Sequence, residues 1–503
     1  MIRAFSCAVL GVGLKRRQAV KQEVELKLEL SQQAAEAFEQ LALLPAESGR
    51  SQLQAVYFDT PDKQLEARGY TLRIRRSGEE RVQTVKAGSE DRGGALFSRA
   101  EWEMPVRQDE PVIDSRTPIA GVLGDAAEMI EPAFKVEVER RTWQIAEGAA
   151  EIELVLDRGW VRAGERQSPI CEVELELKAG EPVGLFALAR RIEAEVPVRL
   201  GVAAKSERGY RLLAPAPACF KAERLALKPD ISVQSAFQAI MRNCVRQYRL
   251  NEDLLLDHYD PQAVHQARVG VRRLRSALTL FRSMLAAQDV TRFQGELRWL
   301  AQLLGEARDL DVLIERVKPG ELHEQLAAVR AVVHAKVIDA LESDRARGLM
   351  IDIVEWLTLG IGEPDADGCK LRDEAAETFA ARRLQHFHRW QMKHARHLAK
   401  LDDAHRHEVR KKAKKLRYAA EFFGGLFDAR KQRRQHACYI DALEGLQDEL
   451  GALNDLVNVR TLLARHGLPV DADLVKSGRS KKKLLAAAGK AYDELADAKR
   501  FWR

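Results

Sequence analysis

Long apolar runs are missing from this 503-residue chain. None approaches the ~20 residues that a membrane-spanning helix needs, so no membrane partner is expected. Cysteine is scarce. The six that occur (Cys7, Cys171, Cys219, Cys244, Cys369 and Cys438) are scattered, with no CxxC pair. That argues against a disulfide framework or a zinc site and fits the reducing cytoplasm. A phosphate-binding P-loop is also absent, since "GVGLKRR" lacks the required spacing. Aromatic residues make up 6% of the chain and do not interleave with the basic runs of its second half. Nucleic acid, which stacks on such aromatics, is not expected as a partner.

The first 20 residues, "MIRAFSCAVLGVGLKRRQAV", pair one arginine with a short apolar run in the manner of a signal peptide. However, "LKRRQAVKQ" stands where a small-residue cleavage site belongs. Residues 1–21 therefore read as a disordered extension of a cytoplasmic protein.

Charge is abundant, at 31% of residues, and unevenly placed. Residues 1–222 hold 32 Lys+Arg against 35 Asp+Glu, a balance of −3; residues 223–503 hold 49 against 40, a balance of +9. A basic second half calls for an anionic partner.

The two halves also differ in period. Between 22 and 212, "VELKLEL", "LQAVYFDT", "YTLRIRRS", "RVQTVKAG", "RAEWEMPV", "FKVEVERRTWQI", "AEIELVLDRGWV" and "CEVELELK" alternate with period two. Eight antiparallel strands with few helices predict a closed barrel or a strongly curled sheet over 22–213. "APAPACFKAE" opens a linker over 214–230, and 231–503 takes up a 3.6-residue period rich in Ala, Leu, Arg and Glu. The expected architecture is α+β multidomain: an eight-stranded antiparallel β tunnel followed by an all-α helical bundle.

In the strands, the charged faces are too ordered to be only a wetted surface. Glu23, Glu25 and Lys27 share one face; Arg73 and Arg75 line another strand; Thr84 and Lys86 pair on a third. Arg99, Glu101 and Glu103 form a row, as do Glu151, Glu153 and Asp157, and Glu172, Glu174 and Glu176. Side chains two apart on one face lie about 7 Å apart. A cluster of buried carboxylates at that spacing needs protons or cations, and hard divalent ions such as Mg²⁺ or Mn²⁺ suit oxygen ligands. Arg and Lys on the opposite wall would grip a polyanion. A metal-bridged di- or triphosphate satisfies both walls, with Lys27 touching phosphate.

These motifs ("VELKLEL", "LRIRR", "TVKAG", "RAEWE", "LDRG" and "CEVELELK", in order) resemble the CYTH family, the triphosphate tunnel metalloenzymes. The resemblance implies a tunnel that binds a triphosphate with Mg²⁺ or Mn²⁺ and cleaves one phosphoanhydride bond. It implies that Glu23 and Glu25 join the metal set and that Lys27 contacts substrate or positions water. It further implies that Arg73, Arg75, Lys86 and Arg140 hold phosphates, with Arg99 and Lys205 at matching basic positions. Asp157, Glu172, Glu174 and Glu176 complete the metal set. Thr142 departs from relatives that carry a base there. No Ser, Cys or His suited to a covalent intermediate stands among the motifs, so direct attack by water is expected.

In the second half, "HQARVGVRRLRSALTLFRSML" at 265–285 matches "HEVRKKAKKLRYAAEFFGGLF" at 407–427. "LLGEARDLDVL" at 303–313 likewise matches "ELGALNDLVNV" at 449–459, so a two-fold internal repeat is expected. On helices, His265, Arg268, Arg272 and Arg275 form one basic stripe, and His407, Arg410, Lys414 and Arg417 repeat it. Arg382, His386 and Arg389 belong to a third. One stripe alone reads as a solvated face. Three together predict a groove for a linear polyanion, because like charges at such spacings repel. The pattern resembles the CHAD domain, the conserved-histidine α-helical domain, which implies binding of inorganic polyphosphate. The combined expectation is a tripolyphosphatase with a polyphosphate-binding domain. Class IV adenylyl cyclase, thiamine or nucleoside triphosphatase, and a non-catalytic scaffold are the alternatives.

Overall fold

The computed structural model of the protein describes residues 21–87, 96–469 and 479–503. The proposed N-terminal extension falls, up to residue 20, outside the described residues, as do the side chains of Glu23 and Arg99.

The first half is a closed antiparallel cylinder. Its strands are β1 (Lys21–Glu29), β2 (Gly49–Asp59), β3 (Tyr70–Ser77), β4 (Glu80–Ala87), β5 (Leu96–Pro105), β6 (Glu131–Glu147), β7 (Ala150–Ala163) and β8 (Arg166–Ala179). They run in the order β5-β4-β3-β2-β6-β7-β8-β1, and β1 pairs back onto β5 to close the ring. A ninth strand, β9 (Arg199–Leu200), adds two residues to the edge of β1. The expectation of eight strands is corrected by this short one, which no alternating run announces.

Short helices decorate the cylinder: α1 (Gln32–Phe38), α2 (Gln64–Ala67), α3 (Ile119–Leu123), α4 (Val183–Glu193) and α5 (Lys205–Leu212). The usual inside-out rule is inverted here. Leu26, Leu28, Leu154, Leu156, Val173 and Leu175 point outward and are buried under Phe38 of α1 and Leu185, Phe186 and Leu188 of α4. The charged faces are left to line the bore.

The second half is helical: α6 (Val233–Asp257), α7 (Pro261–Leu280), α8 (Ala287–Ile314), α9 (Glu321–Glu342), α10 (Asp344–Leu359), α11 (Ala366–Asp373), α12 (Ala376–His394), α13 (Asp403–Phe423), α14 (Arg430–Arg465) and α15 (Lys481–Asp497). The two basic helices start alike. Asp260 caps α7 by accepting from the Gln262 amide at 2.6 Å, and Asp402 caps α13 by accepting from the His405 amide at 2.8 Å. Each cap lies five residues before the histidine of its stripe. One hydrophobic core runs from the outer wall of the barrel into α6, α7 and beyond.

Candidate functional site

Ring order decides which charges face each other. In the eight-membered ring β3 lies four strands from β8, and β4 lies four from β7. Arg73 and Arg75 on β3 and Lys86 on β4 therefore confront Glu174 and Glu176 on β8 and Glu153 on β7. These side chains, with Glu25, Lys27, Arg140, Lys178 and Lys205, line one cavity of about 460 Å³. A smaller cavity of about 230 Å³ meets it at Arg75 and Arg140.

The acidic wall is densely built. Register pairs Asp157 with Glu172 across β7 and β8, and Lys27 with Glu174 across β1 and β8. Asp157, Glu172 and Glu174 each present an oxygen within 4.8 Å of the others. Three cations sit on this triad. The Lys27 ammonium donates to Glu172 at 3.0 Å and Glu174 at 2.7 Å. Lys205, from the first turn of α5, reaches Asp157 at 2.7 Å, Glu172 at 2.5 Å and Glu174 at 2.9 Å. Arg140 forks onto Asp157 with bonds of 2.7 and 2.6 Å. Burial pushes all three carboxyls toward protonation, but Lys205 leads the neighbouring cations that hold them below the usual carboxylate range. For Lys27 burial works against the charge, and Glu172 and Glu174 more than offset it.

The donor set suits a hard divalent cation, because three carboxylates converge. Glu172 Oε2, moreover, is buried without a hydrogen-bond partner. Glu25 and Glu176 line the same cavity, Glu176 bridged to Lys178 at 2.7 Å.

The basic wall is less neutralised. Arg73 donates to the Tyr57 hydroxyl at 3.4 Å, and its Nε is buried without a partner. Arg75 lies 3.7 Å from Glu103 and Lys86 lies 3.4 Å from Glu101. Burial, then Arg73 and Arg140, hold the Arg75 guanidinium below its ordinary pKa, against the opposing pull of Glu103 and Glu101.

Of the cations expected to hold phosphate, Arg73, Arg75 and Lys86 stand on the basic wall. Lys205 and Arg140 also line the cavity but are ion-paired with the acids. Sequence reading passed over Lys178 and left Glu153 without a role. Both were signalled, Lys178 by continuing the even-numbered face of Glu172, Glu174 and Glu176.

A second cavity, of about 840 Å³, opens between α7, α8, α13 and α14. His265, Arg268, Arg272, Arg410, Lys414 and Arg417 line it together. A Cβ at Gly305 would stand 3.4 Å from Arg268 Nε, and one at Gly451 would stand 3.9 Å from Arg410 Nη2. The two matched sequence segments thus pack a glycine against the same arginine of each stripe. His407 reaches Asn454, a lining residue, at 3.1 Å. Arg308, Arg316 and Arg465 join the lining without having been anticipated. The crowding is electrostatically costly: burial, then Arg272, Arg410, Arg268 and Arg417, drop the Lys414 ammonium to about 6. Burial and then Arg308 drop His265 to about 4.

The third stripe is a correction. Arg382, His386 and Arg389 of α12 are exposed and none of them lines the groove; Arg382 is paired with Glu374 at 2.8 Å. Arg275 also stays outside, its Nε 3.4 Å from Gln294.

Comparison with known proteins gives three likenesses. The chain is 32% identical over 200 residues to a Haemophilus influenzae protein named inorganic triphosphatase, covering 38% of this chain and 55% of that one. It thus spans little more than half the length of that relative. An uncharacterized Mycobacterium tuberculosis protein is 26% identical over 466 residues, covering 81% of this chain and 83% of its own. Among solved structures, the CHAD domain from the plant Ricinus communis is 32% identical, covers 56% of this chain and 93% of its own, and has a TM-score of 0.43. The CYTH domain family matches residues 21–210 and the CHAD domain family matches residues 239–464. The chain therefore carries a CYTH domain followed by a CHAD domain.

Proposed function

We propose that the barrel hydrolyses tripolyphosphate to pyrophosphate and phosphate with Mg²⁺ or Mn²⁺, and that the helical groove binds inorganic polyphosphate. The domain limits of this reading are 22–213, 214–230 and 231–503, and its setting is the cytoplasm, consistent with five free cysteines among the described residues. A Haemophilus relative named inorganic triphosphatase supports it. The observation that carries it is the opposition of Arg73, Arg75 and Lys86 to the Asp157–Glu172–Glu174 triad across one cavity.

Asp157, Glu172 and Glu174 would hold the metal, with Glu23, Glu25 and Glu176 contributing. When bound, the ion supplies charge neutralisation for the polyanion and a water of lowered pKa. The chain's own residues do the rest. Arg73 and Arg75 fix the phosphate chain in line and stabilise charge gathering on the transferring phosphoryl. Lys86 extends that wall, and Arg99 is proposed as a further phosphate-binding cation. Lys27, Lys205 and Arg140 hold the acids ionised and spaced, and Lys27 is placed to meet the water or the terminal phosphate.

A phosphate-release assay tests the reading with tripolyphosphate, ATP, thiamine triphosphate and long-chain polyphosphate, each with Mg²⁺, Mn²⁺ or EDTA. Release from tripolyphosphate alone, abolished by EDTA, is the expected result. Cyclic AMP formed from ATP would replace it with a cyclase, and silence on every substrate would leave a binding scaffold.

A further inference from the structure

A strap, residues 199–207, runs from β9 into α5 and contributes to the lining of the tunnel cavity. The Gly201 amide donates to the Lys27 carbonyl at 2.8 Å. A Cβ at Gly201 would stand 2.6 Å from Lys27 Cγ, so only bare backbone lies this close to the lysine stem. Ala204, Lys205 and Ser206 then line the cavity, and Lys205 enters the acidic triad.

Both carbonyls flanking Gly201 are taken by buried arginines from the helical domain. Arg249 of α6, 1% exposed, donates Nε to the Leu200 carbonyl at 2.9 Å. Arg246 of α6, 6% exposed, donates to the Val202 carbonyl and to Glu207 on α5. Arg246 also bonds Glu223 at 3.0 Å, and Arg249 bonds Asp253 at 2.7 Å and stands 3.5 Å from Glu29. Glu29 follows Lys27 on the inward face of β1, is the register partner of Glu172, and accepts from Arg208 of α5.

This is more than generic domain packing. Helix α5 is eight residues long and its N-cap, Ala204, makes no side-chain cap bond. A helix this short has little stability of its own. The position of its first residue, Lys205, is therefore set by what holds the strap on either side. Of those holds, the charge-assisted ones at the Leu200 and Val202 carbonyls come from α6, while Glu207 is shared between Arg246 of α6 and Arg211 of α5, and Arg208 ties α5 to Glu29 of β1.

We infer that Arg246 and Arg249 of the helical domain are positioning residues for the tunnel, fixing Lys205 and the Lys27 stem in the acidic cluster through the strap carbonyls. The inference rests on the tripolyphosphatase reading only where activity is the readout.

Two measurements on the full-length protein test it. The first needs no substrate: brief acylation with an N-hydroxysuccinimide ester, followed by peptide mass spectrometry. Arg246→Met is expected to raise the labelling rate of Lys205 at least tenfold while exposed Lys370 and Lys490 stay unchanged. An unchanged Lys205 rate would overturn the proposal. The second is a double-mutant cycle on kcat for tripolyphosphate. Arg246→Met should lower kcat at least tenfold, and combining it with Lys205→Met should lower it no further than Lys205→Met alone. Losses that multiply would mean that Arg246 acts through general stability, and would also overturn the proposal. If the wild-type protein releases no phosphate, the tripolyphosphatase reading falls while the labelling result still decides the positioning role. Should Arg246→Met fail to fold, Arg246→Lys, which keeps charge but loses the fork, is put through the same measurements, with intermediate effects expected.

Discussion

Lys27 and Glu174 are register partners across β1 and β8, and their side chains meet at 2.7 Å inside the barrel. The pair joins the basic and acidic members of the site on two adjacent strands. It also explains the alternation of "VELKLEL": one face carries the chemistry and the other, through Leu26 and Leu28, carries the core.

Removing the acid tests that pairing. Glu174→Gln should cut phosphate release from tripolyphosphate by about 100-fold, in the range seen when groups supporting a metal site are lost. Lys27→Met should destabilise the fold by about 1.5–3 kcal/mol, because Glu172 and Glu174 lose a buried charged hydrogen-bond donor but keep Lys205. Urea denaturation reads the second effect and steady-state kinetics the first.

The acidic triad also sets the response to acid. All three carboxyls are held below their ordinary values, so the unfolded chain binds protons on them before the folded one does. Their contribution is fully present above the unfolded pKa, about 4, and is lost as pH falls below it. Stability measured by denaturant should be flat from this source above about pH 5 and decline steeply below about 4. Glu172→Gln should flatten that decline; an unchanged slope would remove the triad from the account.

Gly201 offers a steric probe. Gly201→Ala puts a methyl 2.6 Å from Lys27 Cγ and 3.0 Å from its Cδ, in a place where overpacking costs about 1–3 kcal/mol. The lysine must move away from Glu172 and Glu174, so kcat should fall more than stability does. A variant with wild-type kcat would show that the Lys27 position is not critical.

Much of this was legible in the sequence because a strand converts order directly into faces. Alternation placed Glu25, Lys27, Glu174 and Glu176 on one lumen, but did not fix which walls oppose, because β2 pairs with β6 and β1 with β5 and β8 rather than each strand only with its neighbour in sequence. What stayed hidden depends on three dimensions. Nothing in the run of residues shows that Lys205 and Arg140 would pair with the acids as well as line the bore. Two residues of strand at Arg199–Leu200 leave no periodic trace. The third basic stripe failed for a related reason. Helical spacing shows that Arg382, His386 and Arg389 share a face, but not which way α12 turns that face, and packing of Phe379 and Leu384 turns it outward.

The groove and the exposed stripe are separable by substitution. Arg272→Gln with Lys414→Gln should weaken polyphosphate binding by tenfold or more and reduce its salt dependence, since each lost phosphate contact lowers the slope by about one. Arg382→Gln with Arg389→Gln should change affinity less than twofold. Equal losses in the two double variants would return the third stripe to the binding surface.

Lys414 makes groove binding dependent on pH, and the sign follows from its neighbours. Burial and four arginines bring its ammonium down to about 6, so at pH 8 the unoccupied groove holds it largely neutral. A polyanion in the groove restores the advantage of the charged form and raises that value, so binding takes up a proton between the two. By linkage, affinity must rise as pH falls from 8 toward 6, by at most about tenfold per pH unit, and level off below 6 where Lys414 is protonated in both states. His265, at about 4 in the unoccupied groove, adds to the slope only to the extent that the polyanion raises it into this window. Calorimetric titration with polyphosphate in two buffers of different ionisation heat would count the protons taken up at pH 7.5. The count should fall in Lys414→Met, and an equal count in that variant would assign the uptake to another group.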